Sequence, residues 1–161
     1  MLGYVCKYTP MELFEAMDTE ITRLEPSVTD FNHADTLMHA NICSYTKAVL
    51  EDVMEHDYEG VILTTCCDSI RRLYDTLKSQ FPDKFFFLLD IPRKFNDFAV
   101  TLYERQLKQM LTEYEAFSGK TLDLKRFVSM MQNKAALKKQ ENTRMSASAC
   151  LLYTSDAADD R

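Results

Sequence analysis

The sequence predicts an α/β fold, a doubly wound, mostly parallel sheet of the Rossmann or flavodoxin-like kind followed by long helices. Two apolar runs of strand length, GVILTT (Gly60 to Thr65) and KFFFLLDIP (Lys84 to Pro92), read as strands buried on both faces, the signature of a parallel sheet. Stretches with helical spacing of apolar residues stand before, between and after them. Strands alternating with helices form βαβ units, whose right-handed crossovers leave neighbouring strands parallel.

The elements follow in order. GYVC (Gly3 to Cys6) is a short apolar strand. Thr9 and Pro10 then supply an N-cap and a first-turn proline for a helix to about Asp18, with Glu12 and Glu15 near its positive end. ITRL (Ile21 to Leu24) reads as a second strand stopped by Pro26, and SVTDFNH (Ser27 to His33) as a polar loop. Leu37, Met38 and Ile42 suggest a helical turn before Cys43. From Ser44 to His56, Ala48, Val49, Val53 and Met54 make one helix face, and Glu51, Asp52 and Glu55 the other. After the strand at Gly60, Asp68 or Ser69 caps a helix carrying Ile70, Leu73, Tyr74 and Leu77. FPDK turns the chain into the strand that Pro92 ends. Asn96 to Phe117 is a long amphipathic helix through Phe98, Leu102, Leu107, Met110, Leu111 and Tyr114, stopped by Gly119. Thr121 caps a last helix, whose Phe127, Met130, Met131 and Leu137 are expected to expose apolar faces.

Composition narrows the function classes. At 161 residues and 18.7 kDa, with 46% hydrophobic residues, the chain can bury a proper core. A net charge of −6 and a pI near 5.1 leave no domain-wide footprint for nucleic acid or an anionic membrane. No run approaches the roughly 18 apolar residues of a membrane helix, and MLGYVCKYTP lacks a signal peptide's basic flank. The expected address is cytoplasmic. Three glycines in all argue against a P-loop or a dinucleotide fingerprint.

Three segments are expected: an α/β domain over residues 1–94, a helical segment over 95–149 leading to a missing second domain, and a foreign tail over 150–161. The tail, CLLYTSDAADDR, has no periodicity, and its reverse translation resembles a transposon-end sequencing adapter read in frame. On that reading the chain is truncated, and Cys150 is set aside.

The other four cysteines sit at element boundaries: Cys6 after the first strand, Cys43 before a helix, Cys66 and Cys67 between GVILTT and the next helix. Ligands of doubly wound sheets collect outside the carboxyl ends of the strands, and a helix N-terminus favours thiolate over thiol. Packing filler is the competing role of a free cysteine. No paired C-x-x-C units mark a zinc ribbon, so dispersed thiolates for a soft metal remain as the metal reading.

GYVCKYTPMELFEAMDTEITRL, HANICSYTKAVLEDVMEHDYEGVILTTCCDSIRRLYD, FFFLLDIPRK and SGKTLDLKRFVSMMQNK, in that order, resemble the 2-hydroxyacyl-CoA dehydratase and benzoyl-CoA reductase subunit family over Gly3 to about Lys139. The resemblance implies a lyase subunit of anaerobic, amino-acid-fermenting metabolism, with a [4Fe-4S] cluster held by three cysteines. Carried over, the ligands are Cys43 in NICSYTK and Cys67 directly before Asp68; the third falls beyond this chain, which alone is expected to be inactive. The implied reaction is radical β-dehydration of a 2-hydroxyacyl-CoA to an enoyl-CoA, through a ketyl. The implied partners are a homologous second subunit, an ATP-hydrolysing iron–sulfur activator protein and an acyl-CoA substrate. Cys66 departs from the family pattern, as a packed thiol or as a sign of the branch with a double-cubane cluster. Two alternatives stay open: a benzoyl-CoA reductase or double-cubane ATP-dependent reductase, and a non-catalytic α/β interaction module.

Further candidates carry two readings each. Ser44, Thr65 and Ser69 are neighbours of cluster sulfur or plain helix caps. Arg71 and Arg72 meet CoA phosphates or a partner, or form a solvated face. His39 is a proton donor near Cys43 or a partly buried histidine, and Glu12 is a first-turn dipole partner.

Overall fold

The computed structural model describes residues 1–137 except Thr29 and Phe95, so the tail at 150–161 lies outside the described residues. Two units are described, Met1–Leu122 and the chain from Asp123 onward. The first holds strands β1 (Leu2–Tyr4), β2 (Ile21–Arg23), β3 (Gly60–Thr64) and β4 (Phe85–Leu89) and helices α1 (Met11–Glu15), α2 (Asn32–Leu37), α3 (Ser44–Glu55), α4 (Asp68–Gln80) and α5 (Asp97–Ser118). The four strands form one all-parallel sheet in the order β2-β1-β3-β4, an α/β fold as the apolar runs require.

The register aligns Tyr4 with Arg23 on one side and with Ile62 on the other, and Gly60 with Phe85. After β1 the chain moves outward to β2, then returns across the sheet to β3. The strand order therefore reverses between β1 and β3, and loops part there at the carboxyl edge. β3 is buried along its whole length because helices cover both faces. Val61 and Leu63 join Val49, Leu50, Val53, Ile70, Leu73 and Leu77 of α3 and α4 in one core cluster. On the other face, Phe14 of α1 and Phe85 of β4 meet Tyr114 of α5 edge-on, at 5.1 and 5.0 Å between ring centroids.

Long-range packing revises several local expectations. Thr9 does not cap α1: Pro10 is the N-cap, no side chain bonds there, and the Thr9 hydroxyl is buried without a partner. The helix is also shorter than expected, ending at Glu15. Part of the expected polar loop is α2, and Glu51 explains why. Glu51 is turned inward from α3, 2% exposed, with Oε1 accepting from the Ala34 amide at 2.7 Å and Oε2 at 2.7 Å from His33 Nδ1. A carboxylate from one helix thus caps the first turn of another, satisfying orphan donors that sequence neighbours leave open. Met38 ends α2 in an extended conformation, and His39 to Ile42 form a turn rather than a helix.

In α4 the N-cap is Cys67, with no side-chain cap from Asp68 or Ser69. At α5 the expected ends hold: Asn96 Oδ1 accepts from the Ala99 amide at 2.7 Å, and Gly119 takes the left-handed conformation at φ 69°. Phe98 is not on its buried face but 76% exposed. In the second unit a helix spans residues 124–137, and its cap is Asp123, whose Oδ1 accepts from the Lys125 and Arg126 amides, rather than Thr121. Met131 and Leu137 of that helix are exposed as expected, whereas Phe127 and Met130 are half-buried.

Candidate functional site

Each cysteine is delivered to the carboxyl edge by the element before or after it. Cys6 lies two residues past β1, and Cys66 two past β3. Cys43 and Cys67 are the N-caps of α3 and α4, both with extended backbone. Cys43, Cys66 and Cys67 are exposed and Cys6 is half-buried. Three of these thiols therefore do not act as core filler.

The setting of Cys43 is the most developed. Its Sγ lies 3.1 Å from Oγ1 of Thr46, one turn along α3, and Thr46 is fully buried. Burial raises the Cys43 thiol, but hydrogen bonding from the Thr46 hydroxyl and amide, the Ser69 hydroxyl and the Tyr45 amide outweighs it, and the pKa falls below the ordinary value. Ser69 stands two residues after Cys67, so the start of α4 reaches the thiol that begins α3. Cys43 and Cys67 thus share one rim.

Cys66 is tuned the other way. Burial pushes its thiol up, the Thr64 hydroxyl lowers it, and the adjoining Cys67 thiol raises it further. The backbone explains this placement: the Cys66 amide donates to the Thr64 carbonyl at 2.8 Å, so the chain folds back at the strand end instead of continuing it. Burial also raises the Tyr45 phenol, opposed by Arg23 and reinforced by Cys66 and Cys6.

Two hollows flank the rim. One, of about 330 Å³, is lined by Cys6, Thr64 and Cys66 and bounded by Pro92 and Arg93. The other, about 440 Å³, runs between the His39–Ile42 turn and α4, where Asp68, Ser69 and Arg72 line it. His39 is exposed and its Nδ1 accepts from the Asn41 amide at 3.2 Å, leaving Nε2 to carry the proton. Arg72 pairs with Asp68 within α4 at 3.6 Å, and Arg71 is exposed on the same helix. Thr65 donates to Asp90, tying the end of β3 to β4, and Ser44 is exposed.

Thr46, Tyr45 and Thr64 are the neighbours that sequence reasoning missed. A spacing of Cys-x-x-Thr at a helix start was the available signal for Thr46, because residues N-cap and N3 face one another in a capping box. Thr46→Val keeps the shape and removes the hydroxyl, so Cys43 should hold less thiolate and react several-fold more slowly at neutral pH. Alkylation of Cys43 followed against pH by peptide mapping checks this, and an unchanged profile would speak against it.

Among the described residues no three His, Cys, Asp or Glu side chains converge as a metal-ligand group, and no helix is long and apolar enough to cross a membrane. As a donor set, Cys43 and Cys67 are two accessible soft ligands, which fits part of an iron–sulfur shell and leaves further ligands to come from elsewhere. Residues 6–152 match the protein family described as 2-hydroxyglutaryl-CoA dehydratase, D-component. No curated protein matches the chain.

Proposed function

Because the chain belongs to the 2-hydroxyglutaryl-CoA dehydratase D-component family, we propose that it is the iron–sulfur subunit of a 2-hydroxyacyl-CoA dehydratase-type enzyme, with Cys43 and Cys67 as two ligands of a [4Fe-4S] cluster. The observation that carries this is the meeting of the two helix starts at one rim, with Ser69 of α4 within hydrogen-bonding reach of the Cys43 thiol. The exposure of both thiols weighs against the non-catalytic module, in which cysteines would only pack. The third cysteine ligand of the proposed cluster is none of the described residues.

The chemistry to be served is hard because the β-hydrogen of a 2-hydroxyacyl-CoA is not acidic. A [4Fe-4S] cluster held in part by Cys43 and Cys67 would supply low-potential one-electron chemistry to the thioester, which would loosen the hydroxyl group and acidify the neighbouring C–H. The protein's own share is narrower. Cys43 and Cys67 stand at the positive N-terminal ends of α3 and α4. Thr46 fixes the Cys43 sulfur from a sealed position, and a hydrogen bond to a ligating sulfur raises its reduction potential. A homologous second subunit and an ATP-hydrolysing activator complete the proposed enzyme in the cytoplasm.

Anaerobic reconstitution with iron and sulfide tests the reading. The full-length protein should turn brown, and Cys43→Ser or Cys67→Ser should each strip most of the iron and the visible absorption. Unchanged iron content in both variants would overturn it.

A further inference from the structure

Among the described residues Glu51 is the one buried carboxylate, and the chemistry at the rim makes no direct use of it. Both of its oxygens are engaged by α2, through the Ala34 amide and His33 Nδ1. For mere packing of two helices a carboxylate is a poor choice: taking it out of water is costly, and an apolar side chain of similar volume would hold as firmly. What it adds is direction. Apolar contacts tolerate sliding, whereas two 2.7 Å bonds from one carboxylate select a single position of α2 along α3.

α2 depends on that hold. It has six residues and no side-chain cap at its N-cap residue, so it is too short to persist as an isolated helix. Its course shows what the hold serves. Ala34 bonds Glu51 and Asp35 accepts from Lys47 Nζ at 2.5 Å, so α2 runs antiparallel to α3, toward the residue where α3 begins. Met38 ends it, the His39–Ile42 turn follows, and the next residue is Cys43. The strap from Ala34 to Cys43 thus returns along the stretch of α3 between Glu51 and Cys43, about 12 Å. Ala34 and Met38 belong to the core cluster, with Leu37 and Ile42 packed against it. Leu37, Met38 and Ile42 also line the hollow of about 440 Å³ together with Ser69 of α4.

We propose that Glu51 is a positioning residue for the rim: by locking α2 onto α3 it fixes the strap that delivers Cys43, and so the place of Cys43 relative to the start of α4. The inference rests on Cys43 being a cluster ligand.

Hydrogen exchange of the metal-free full-length protein, with spectroscopy after anaerobic reconstitution, tests it. In Glu51→Ala the amides of residues 34–42 should exchange at least about tenfold faster while those of β3 and β4 keep their rates. The reconstituted variant should show a shifted reduction potential and an altered electron paramagnetic resonance spectrum at nearly wild-type iron content. Glu51→Gln keeps an oxygen for the Ala34 amide and should restore most of both properties. Wild-type strap exchange in Glu51→Ala, a loosened strap with unaltered potential and spectrum, or Glu51→Gln behaving like Glu51→Ala each overturns the role. Cys43→Ser, measured alongside, separates the causes: if it keeps its iron, the ligand reading falls and this inference with it, whereas any of the three outcomes above with iron lost from Cys43→Ser overturns the inference alone. Should Glu51→Ala fail to fold, His33→Ala decides, since it removes only the exposed partner of Oε2. Faster strap exchange with an altered spectrum then supports the role, and wild-type behaviour overturns it.

Discussion

Gly60→Ala is expected to destabilise the protein by at least about 3 kcal/mol, enough to unfold much of the population at moderate temperature. A Cβ at Gly60 would sit 2.0 Å from the Phe85 carbonyl oxygen and 2.7 Å from its carbon. Those are backbone atoms of the neighbouring strand, directly opposite in the register, so no rotamer change relieves the overlap. The start of β3 must part from β4, which also breaks the bond from the Phe85 amide to the Glu59 carbonyl at 3.0 Å. Urea denaturation followed by far-ultraviolet circular dichroism measures the loss; a midpoint near that of the wild type would show that the two strands can separate cheaply. Because Cys66 and Cys67 follow the far end of β3, their thiols should also become more reactive in the variant.

Tyr114→Ala should cost about 3–5 kcal/mol. Tyr114 is fully buried on α5, and its ring meets Phe14, Phe85 and Phe117 with centroids 5.1, 5.0 and 6.3 Å away. Its hydroxyl donates to Glu59 Oε1 at 3.1 Å and lies 3.2 Å from Thr19 Oγ1, beside Lys120 Nζ, which reaches the same threonine at 3.1 Å. Truncation removes the ring from the core and leaves a buried threonine short of a partner. Tyr114→Phe separates the two contributions, because it keeps the ring and should lose only about 1 kcal/mol. The larger variant should also loosen the hold of α5 on the sheet, which at its other end brings the Tyr103 hydroxyl to the Tyr8 carbonyl at 3.3 Å, near the Cys6 cavity. Equal losses for the two variants would mean that the hydroxyl, not the ring, anchors α5.

The parts of the fold that sequence reasoning reached are those with local causes. β3 and β4 are apolar throughout because parallel strands face helices on both sides, and that requirement is written into consecutive residues. Asn96 and Gly119 mark the ends of α5 because a cap bonds within three residues and a left-handed turn suits glycine. Cys43 and Cys67 were placed at helix starts for the same reason, since each is read from its own flanking run.

What escaped has distant causes. Glu51 follows a helical pattern that puts it on the polar face, yet it is buried because Ala34 and His33, on another helix, offer donors to its carboxylate. Thr9 has the right type and spacing for a cap and makes no such bond. Ser69 reaches Cys43 because α3 and α4 lie side by side on one face of the sheet, and no spacing along the chain encodes that neighbour.

By itself, then, the amino-acid order determined the α/β class, the apolar parallel strands, the limits of the longest helix and the positions of the thiols at element boundaries. Strand order, the inward turn of Glu51, the approach of Ser69 to Cys43 and the enclosure of the Thr64 hydroxyl were decided only in three dimensions. The physical reason is range: propensities, caps and periodicity act within about one helical turn, whereas pairing, burial and hydrogen-bond satisfaction depend on partners that folding brings from elsewhere in the chain.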